Sequence, residues 1–397
     1  MLKKPELLSP IFDFTSLNAA ISAGCDSVYF GIKELNMRIN AKNFTLNEIK
    51  RVVDICHKNN VKAYLTLNTI IYDSELEKIK KILIGAKKAK VDAVICWDFS
   101  VINEARKLKM PIHISTQASV SNLEAVNFYK KLGATRIILA RELSLEQIKK
   151  IIKNSKIEIE CFVHGAMCVS ISGRCFMSQF VFGKSANRGD CIQPCRRRYL
   201  LKDIEEGYEL ELGNNHVLSP KDLCTLPFIE KLIESGINAF KIEGRSRSPE
   251  YVKTVSECYR KAIDAYFENK LTKELKNELM KELEKVYNRG FSSGFYLGKP
   301  INEFIESDNQ SKTKKVFIGI IKNYYSKKGV AELKLFTGKL KLNDNIMIQG
   351  ATTGVIEQKI KSMEIEHKKI NEARKGNEIG IKLDKIARKN DRVFLIE

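Results

Sequence analysis

The chain of 397 residues contains a single tryptophan, eight prolines and five histidines. It has no run of about eighteen apolar residues, the length that marks a membrane-spanning helix. Its first residues lead straight into a strand-like segment, without the apolar core of a signal peptide. We therefore expect a cytoplasmic protein without membrane contacts. In that compartment, ten cysteines should be thiols, metal ligands or redox groups rather than disulfides.

Common hydrolytic signatures are also scarce. The chain has no His-Glu-x-x-His pair of the kind that binds zinc in metalloproteases. We also expect neither a serine-hydrolase nucleophile elbow nor a Ser–His–Asp set. These features disfavour ordinary proteolytic chemistry.

Positive charge is in excess, with 68 Lys and Arg against 48 Asp and Glu. Residues 312–397 hold 20 basic and 10 acidic residues, so half of the net surplus of 20 lies in the last fifth of the chain. Nucleic acid is the usual partner of such a surface, because binding to phosphates releases counterions. The alternative is a lysine-rich composition that serves only solubility.

The first 245 residues alternate short apolar runs with amphipathic helical stretches, which predicts an α/β fold with a TIM-like (β/α)₈ barrel. The eight strand candidates are Glu6–Ser9, Ser27–Gly31, Lys62–Leu67, Ala93–Trp97, His113–Thr116, Arg136–Ala140, Glu158–Val163 and Ala239–Ile242. The helix candidates include Leu46–Lys58, Ser74–Lys88, Asn122–Leu132 and Leu145–Lys153, and residues 249–288 are expected to form two more.

A long Cys- and Arg-rich insertion, residues 165–226, interrupts this rhythm between the last two strands. Loops that follow barrel strands build the active site, so we expect the insertion to be functional. We assign residues 1–300 to the barrel, its insertion and the following helices, and residues 301–314 to a polar linker. Short β-runs between turn residues in 315–397 predict a small all-β barrel.

The cysteines of the insertion are the strongest chemical signal. Cys168, Cys175, Cys191 and Cys195 have the spacing Cys-x6-Cys-x15-Cys-x3-Cys, and Cys224 follows downstream. Thiolates bind soft metals, so zinc and an iron–sulfur cluster are the candidates. Structural zinc sites more often contain paired Cys-x2-Cys knuckles, which favours the cluster. The other five cysteines lie in apolar patterns and are expected to be buried, inert thiols.

Longer motifs around these cysteines resemble the collagenase-like peptidase family U32. They are ECFVHGAMCVSISGRCFMS at 160–178, NRGDCIQPCR at 187–196, LSPKDLC at 218–224 and FKIEGR at 240–245. Within that family, the chain is most similar in length and domain order to the tRNA uridine-5-hydroxylation proteins. Residues 338–348 and 360–364 also resemble the second-domain barrel of translation elongation factors, which implies a role in tRNA docking.

This resemblance implies an enzyme that hydroxylates the wobble uridine of tRNA at position 5 without oxygen, with prephenate as the hydroxyl donor. It also implies a four-iron, four-sulfur cluster held by Cys168, Cys175, Cys191 and Cys224, with Cys195 as the alternative ligand. Two other readings stay open: a collagenase-like peptidase, and a non-catalytic RNA-binding protein with a structural metal site.

Charged residues near predicted strand ends complete the candidate site. A dicarboxylate donor needs fixed cationic groups, and the substrate-binding candidates are Arg38, Arg141, Arg174 and Arg245. His164 is a candidate for proton transfer and Glu243 for orienting an arginine or a nucleobase edge. We expect Arg196, Arg197 and Arg198 to contact RNA phosphates. Each of these residues could instead have a purely structural role.

Overall fold

In the computed structural model, residues 2–199, 216, 218–301, 303–305 and 307–397 are described. The strands of the first unit are β1 Glu6–Pro10, β2 Ser27–Gly31, β3 Lys62–Leu67, β4 Ala93–Cys96, β5 Ile112–Ile114, β6 Ala134–Ile138, β7 Glu158–Gly165, β8 Asp222–Cys224, β9 Ala239–Ile242 and β10 Phe291–Ser292. Its helices are α1 Phe14–Ser22, α2 Ile49–Lys58, α3 Leu76–Lys88, α4 Phe99–Lys107, α5 Leu123–Lys131, α6 Leu145–Asn154, α7 Met177–Phe182, α8 Ile229–Glu234, α9 Pro249–Phe267 and α10 Lys273–Lys285.

Eight parallel strands close into a barrel in the order β1 to β7 and then β9. Strand β9 pairs with β7 on one side and with β1 on the other, which completes the ring. The TIM-like barrel prediction is thus confirmed, and each predicted strand lies within two residues of an observed one at both ends. Strands such as β2 are buried along their whole length, because side chains on one face fill the barrel and those on the other face contact the helices.

The helices begin where the sequence supplies side-chain caps. Asp13, Asp98, Asn122 and Ser144 each accept a hydrogen bond from a backbone N–H in the first turn of the helix that follows. Such caps satisfy donors that otherwise have no partner at a helix start. They fix the point at which each loop on the catalytic side of the barrel turns back into a helix.

Strand β8 departs from the predicted pattern. It lies outside the ring, antiparallel to β7, and its other edge pairs with β10. The sequence analysis did not identify this strand, because it is only three residues long and lies inside the insertion. It extends the sheet just beside the end of β7, where the insertion begins.

A buried ionic network fills the barrel near the start of its strands. Arg136 is bonded to Glu6 (2.9 Å), Glu158 (2.7 Å) and Glu160 (3.2 Å), and Lys241 binds the second oxygen of Glu160 at 2.8 Å. Burial raises the pKa of Glu6, but the hydrogen bonds and charge of Arg136 more than offset this and leave the pKa well below its ordinary value. Arg136 therefore holds the carboxylate of Glu6 in its ionised form.

The C-terminal unit is all-β, as predicted. Its strands are β11 Lys315–Tyr325, β12 Val330–Leu335, β13 Lys339–Lys341, β14 Asn345–Gly350, β15 Gly354–Lys359, β16 Met363–Ile365, β17 Lys368–Lys369, β18 Glu372–Arg374, β19 Glu378–Lys382 and β20 Arg392–Ile396. Eight of them form one antiparallel sheet in the order β15-β14-β20-β11-β12-β19-β16-β17, and β13 pairs with β18. Residues 360–362 lie between β15 and β16 and belong to neither strand.

This unit has its own apolar core, and a second, smaller apolar cluster joins it to the barrel unit. Ala19 on α1 packs against Met347, Val355 and Phe394 of the sheet. Glu250, at the start of α9, binds Lys315 and Gln349, both at 2.7 Å. Within the described residues, no helix is both long and apolar enough to cross a membrane.

The buried network generates a stability prediction. Arg136→Met leaves Glu6 buried without its main cationic partner and Glu160 with Lys241 alone, so the barrel should lose about 3–5 kcal/mol of unfolding free energy at neutral pH. Trp97 is the only tryptophan and lies in this unit, so its fluorescence in a urea titration reports the barrel. The exposed Arg106→Met serves as the control, since surface charges contribute only about 0–1 kcal/mol.

The same pair of proteins should differ less in acid. The lowered pKa of Glu6 stabilises the folded state above its unfolded pKa, and this contribution is lost as the pH falls towards the folded pKa. Arg136→Met lacks this contribution at every pH, so the difference in unfolding free energy between wild type and variant should become smaller as the pH falls. A gap that stays constant or widens would contradict this role for the network.

Candidate active site

The C-terminal ends of the barrel strands surround a narrow mouth cavity of about 40 Å³. Its polar lining includes Tyr29, Arg38, Gln117, Lys241, Glu243 and Arg245. Substrate sites of TIM barrels lie at this end, because the loops after the strands converge there. The cavity is therefore the first place to look for chemistry.

An ion pair between Arg38 and Glu243 lies across this cavity. Arg38 Nη2 donates to Glu243 Oε1 at 2.9 Å, and Arg38 Nε donates to the same oxygen at 3.2 Å. Burial raises the pKa of Glu243, but the charges of Arg38, Arg245 and Arg141 overcome this and lower it below the ordinary value. Glu243 is thus an anion surrounded by three arginines, which suits it to orienting cationic or N–H groups.

Arg245 is almost fully buried beside this pair. Its Nη1 donates to Asn36 Oδ1 at 3.0 Å and to Thr66 Oγ1 at 2.9 Å, while its Nε has no protein partner. Burial lowers the pKa of Arg245 to about 10. Its main visible contacts hold the loop after β2, which carries Arg38, against β3.

A side cavity of about 200 Å³ adjoins the mouth cavity, and Thr116 lines both. Arg141 and Cys168 lie in its wall. Arg141 Nη1 donates to the Ala166 carbonyl at 2.9 Å and its guanidinium lies over the ring of Phe162. Its Nε and Nη2, and the hydroxyl of Ser119 in the same wall, are buried without a protein partner. Buried donors of this kind normally have a partner, so the side cavity offers a binding site for an anion.

The insertion packs closely against the barrel mouth. Gly189 has a φ of +88°, and a Cβ there would collide with the carbonyl oxygen of Asn36. Arg188 binds Glu75 at 2.8 Å, and Asn40 donates to Asp190 at 2.9 Å. These contacts fix residues 186–190 against the loops after β2 and β3.

Four cysteines of the insertion, Cys168, Cys175, Cys191 and Cys195, lie near enough to one another to interact electrostatically and are named the four-thiol group here; Arg38 interacts with Cys168 and Cys191. Burial raises the pKa of Cys195, and the thiols of Cys168, Cys191 and Cys175 raise it further. The same holds for Cys191, whose pKa Arg38 lowers in part. A cationic metal centre would favour the thiolate forms of Cys191 and Cys195, whose pKa values are raised.

An iron–sulfur cluster is the cofactor that the cysteine motifs imply. The four-thiol group matches it in donor type and in number. In the part of the chain that the structure describes, no three His, Cys, Asp or Glu side chains are arranged to hold a single metal ion. A cluster contains several iron atoms and separates its thiolate ligands more widely than one ion does, so this finding concerns single-ion sites and not a cluster.

The structure does not bring Cys224 to this group. Cys224 lies on β8, 2% exposed, and its Sγ contacts Tyr259 Oη at 3.9 Å and Met280 Sδ at 3.7 Å. Burial raises its pKa to about 12. Neighbouring Leu223 packs inside the barrel, so strand alternation turns Cys224 towards α9 and α10. Of the two predicted ligand sets, the observed geometry groups the one with Cys195.

His164 also lies away from both cavities. Strand alternation would place it inside the barrel with Glu160 and Phe162, but the register of β7 against β9 shifts between Phe162 and His164. This irregularity turns His164 outwards, where its ring packs against Tyr251, Tyr259 and Phe291. Burial lowers the pKa of His164 to about 3. It is a buried neutral histidine, and the structure shows no path for it to transfer a proton to a substrate.

The remaining arginine candidates divide into two kinds. Arg196 is a structural residue, because its Nη1 donates to Ser219 Oγ at 2.7 Å and to the Pro220 carbonyl at 2.9 Å. Arg174, Arg197 and Arg198 are exposed on the insertion. Arg174 Nη2 donates to the Gln117 carbonyl at 2.9 Å, and the guanidinium of Arg197 lies 4.4 Å from the ring of Phe182.

Sequence reasoning missed several residues of the mouth cavity. Lys241 is buried, binds Glu160 and lies 4.4 Å from the ring centre of Tyr29. Burial lowers its pKa. Lys241 belongs to the FKIEGR motif and alternates with Glu243, so strand periodicity could have identified it. Gln117 and Asn68, which hydrogen-bond each other at 3.3 Å, gave no comparable signal.

The grouping of the thiols generates a prediction on metal content. Anaerobically prepared protein should be brown and contain about four irons per chain. Cys195→Ala should remove the colour and most of the iron, as should Cys168→Ala, whereas Cys224→Ala should keep both. Iron and sulfide analysis with an absorption spectrum measures this. Loss of iron in Cys224→Ala alone, or stoichiometric zinc in the anaerobic protein, would contradict the assignment.

Comparison with known proteins agrees with this architecture. Over its full length the chain is 45% identical to an uncharacterized protease of Methanocaldococcus jannaschii, covering 99% of that protein. It is 40% identical to a collagenase of Porphyromonas gingivalis over 98% of this chain and 97% of the relative. It is 37% identical to tRNA hydroxylation protein P1 of Bacillus subtilis over 81% of this chain and 78% of that protein. Residues 12–306 match the sequence model of peptidase family U32. The chain therefore belongs to peptidase family U32.

Proposed function

We propose that this protein is an RNA-hydroxylating enzyme that adds a hydroxyl group to C5 of the wobble uridine of tRNA. The proposal includes prephenate as the hydroxyl donor and a four-iron cluster held by the four-thiol group. One observation carries it: Cys168 of the four-thiol group and the unpaired donors of Arg141 line the same side cavity, next to the mouth cavity. The similarity to a tRNA hydroxylation protein supports RNA as the substrate.

The side cavity suits a small carboxylate donor. Arg141 presents Nε and Nη2 on one edge of its planar guanidinium, which matches the two oxygens of a carboxylate. Its third nitrogen is fixed by the Ala166 carbonyl, so the edge is already oriented. Ser119 can donate a further hydrogen bond from the same wall. Cys168 lines this cavity as well, so a bound donor would lie next to the four-thiol group.

The replacement of a C–H bond by a C–O bond is a two-electron oxidation of the base, so the hydroxyl donor is the oxidant: its C–O bond breaks, and it takes up the two electrons and the proton that the base loses. An iron–sulfur cluster held by Cys168, Cys175, Cys191 and Cys195 would supply electron transfer at this position. Around it, Arg38 contributes a positive charge beside the thiolates, and Glu243 holds Arg38 in place. Glu243 is positioned to accept a hydrogen bond from an N–H edge of a base that enters the mouth cavity.

A base must leave its stack to reach these cavities, because the insertion packs over the barrel mouth. Unstacking is easiest in a single-stranded loop, where bases are read on their edges and faces. A wobble uridine lies in such a loop. The positive surplus of residues 312–397 suits the C-terminal unit to binding the phosphates of the same RNA.

The alternative function, proteolysis, is favoured by the names of two relatives. Residues 290–294 read GFSSG, which has the spelling of a nucleophile elbow. However, Ser292 lies in the short strand β10, its hydroxyl accepts a hydrogen bond from the N–H of Gly294, and a turn rather than a helix follows. An elbow needs a strand, a sharp turn and a helix. No histidine of the described chain lines the mouth or side cavity.

Substitution of Arg141 tests the donor site. Arg141→Lys keeps the charge but loses the planar edge, so hydroxylation should fall about 10- to 150-fold, as expected for loss of a charged hydrogen bond. Arg245→Lys should also reduce activity, since it loosens the loop that carries Arg38. Arg106→Lys on α4 is the matched control and should behave as wild type.

The measurement is mass spectrometry of tRNA nucleosides from cells that lack the gene, complemented with each form. Iron content is measured in parallel to show that the cluster survives. Full activity of Arg141→Lys would remove this arginine from the donor site. If gene loss alters no uridine derivative, the hydroxylase proposal fails, and cleavage of gelatin by the purified protein would then favour the peptidase. Tight tRNA binding without either activity would favour a non-catalytic role.

Charge removal tests the docking role of the C-terminal unit. Lys327, Lys328, Lys368 and Lys369 are exposed on turns and a short strand of this unit. Their joint replacement by Ala should weaken tRNA binding and reduce the salt dependence of the affinity, because fewer phosphates are neutralised. Four exposed lysines provide a control of the same charge: Lys87 and Lys88 at the end of α3, and Lys130 and Lys131 at the end of α5. Unchanged affinity at every salt concentration would show that the unit is not a docking module.

A further inference from the structure

The insertion exposes large apolar side chains next to the four-thiol group. Six of the eighteen large hydrophobic residues that are exposed on the described chain lie between 169 and 192. The two most prominent are Phe176, 59% exposed, and Phe180, 83% exposed. Such a concentration on a soluble surface usually marks an interaction site.

The two rings form an aromatic ridge, defined here as Phe176 and Phe180. Their centroids are 5.7 Å apart and their planes differ by 23°, so the rings are stacked. Phe176 directly follows Cys175, and Phe180 lies in helix α7. A flat face of Phe180 therefore remains open to solvent a few residues from the proposed cluster.

The charge around the ridge identifies the kind of partner. Residues 165–199 contain six basic residues and one acidic residue, Asp190. Arg174, Arg197 and Arg198 are exposed, and Arg197 already lies over the ring of Phe182. Exposed aromatic rings in a basic segment are typical of surfaces that bind single-stranded nucleic acid, with bases stacked on the rings and phosphates bound by the cations.

We infer that the aromatic ridge is a stacking platform for unpaired bases of the substrate RNA. It would hold the nucleotides next to the target base while that base enters the mouth cavity. The identity of the RNA in this inference rests on the proposed function. The preference for unpaired bases follows from the rings of the ridge and the charges of the insertion. Stacking on a ring is sequence-tolerant, so the ridge selects single strands over duplex rather than one sequence.

Three variants of Phe180 separate base stacking from simple apolar contact. The side chain is largely exposed, so none of them should disturb the fold or the iron content. With an RNA stem–loop as probe, Phe180→Ala should raise the Kd about 5- to 150-fold, the loss of one base stacked on a ring. Phe180→Tyr keeps a ring and should retain the affinity, whereas Phe180→Leu keeps apolar bulk and should not. Phe128→Ala on α5, also an exposed phenylalanine, is the control and should leave the affinity unchanged.

Fluorescence anisotropy measures these affinities, with a blunt duplex of the same length as a second probe. Phe180→Ala should weaken loop binding much more than duplex binding, and its salt dependence should stay that of wild type because no charge is removed. Arg197→Ala together with Arg198→Ala should instead reduce the salt dependence.

Three outcomes would overturn the inference. Unchanged loop affinity in Phe180→Ala removes the ridge from RNA binding. Full affinity in Phe180→Leu shows apolar contact without stacking. A change in oligomeric state with unchanged RNA affinity assigns the ridge to a contact between copies of this chain. Nucleoside analysis of wild type tests the proposed function separately. If wild type hydroxylates tRNA and Phe180→Ala binds RNA normally, only the role of the aromatic ridge is contradicted. If Phe180→Ala binds RNA weakly and wild type hydroxylates nothing, only the proposed reaction is contradicted.

Discussion

The ion pair between Arg38 and Glu243 is the interaction on which the candidate site depends. It joins the loop after β2 to the end of β9, and so connects two parts of the barrel mouth that are far apart in sequence. Arg38 also influences the thiol of Cys191, so the same side chain connects the barrel to the insertion. If the pair were absent, Glu243 would be a buried carboxylate with less compensation, and the loop that supports Gly189 would lose one of the contacts that hold it, although those of Arg245 would remain. The same ion pair therefore contributes both to the charge balance in the mouth cavity and to the placement of the insertion.

The charged groups at the two ends of the barrel differ in whether they have protein partners. Arg136 and its carboxylates fill the end at which the strands start, where every charge has a partner and solvent has little access. At the opposite end, Arg141 and Arg245 keep nitrogen atoms without protein partners. The first arrangement suits folding, and the second leaves binding capacity for a ligand. Lys241 spans the two, since it pairs with Glu160 and also lines the mouth cavity.

Sequence periodicity predicted the eight barrel strands well, because strands buried on both faces form short apolar runs separated by capped helices. It was less informative for the site, and the reasons are local. His164 follows a register shift in β7, which no alternation rule detects. Cys224 belongs to a three-residue strand outside the ring, whose phase turns the thiol towards helices α9 and α10. Spacing identified the crowded cysteines, but only the path of the insertion shows that Cys195 accompanies the other three. Arg38 and Glu243 were each selected singly, and their pairing depends on a contact across 205 positions of the chain.

The closure of the barrel through β7 and β9 has a consequence for how this chain can change over evolutionary time. These two strands pair directly and in parallel, so the polypeptide leaves the ring at Gly165 and re-enters it at Ala239, opposite Glu160, at the start of the neighbouring strand. The length of the segment between these two strands does not affect the geometry of the ring. Lengthening this segment costs little, because the entropy of closing a loop grows only slowly with its length. Insertions or deletions in this segment can change substrate recognition while the barrel stays intact. The barrel and the substrate specificity can therefore evolve separately.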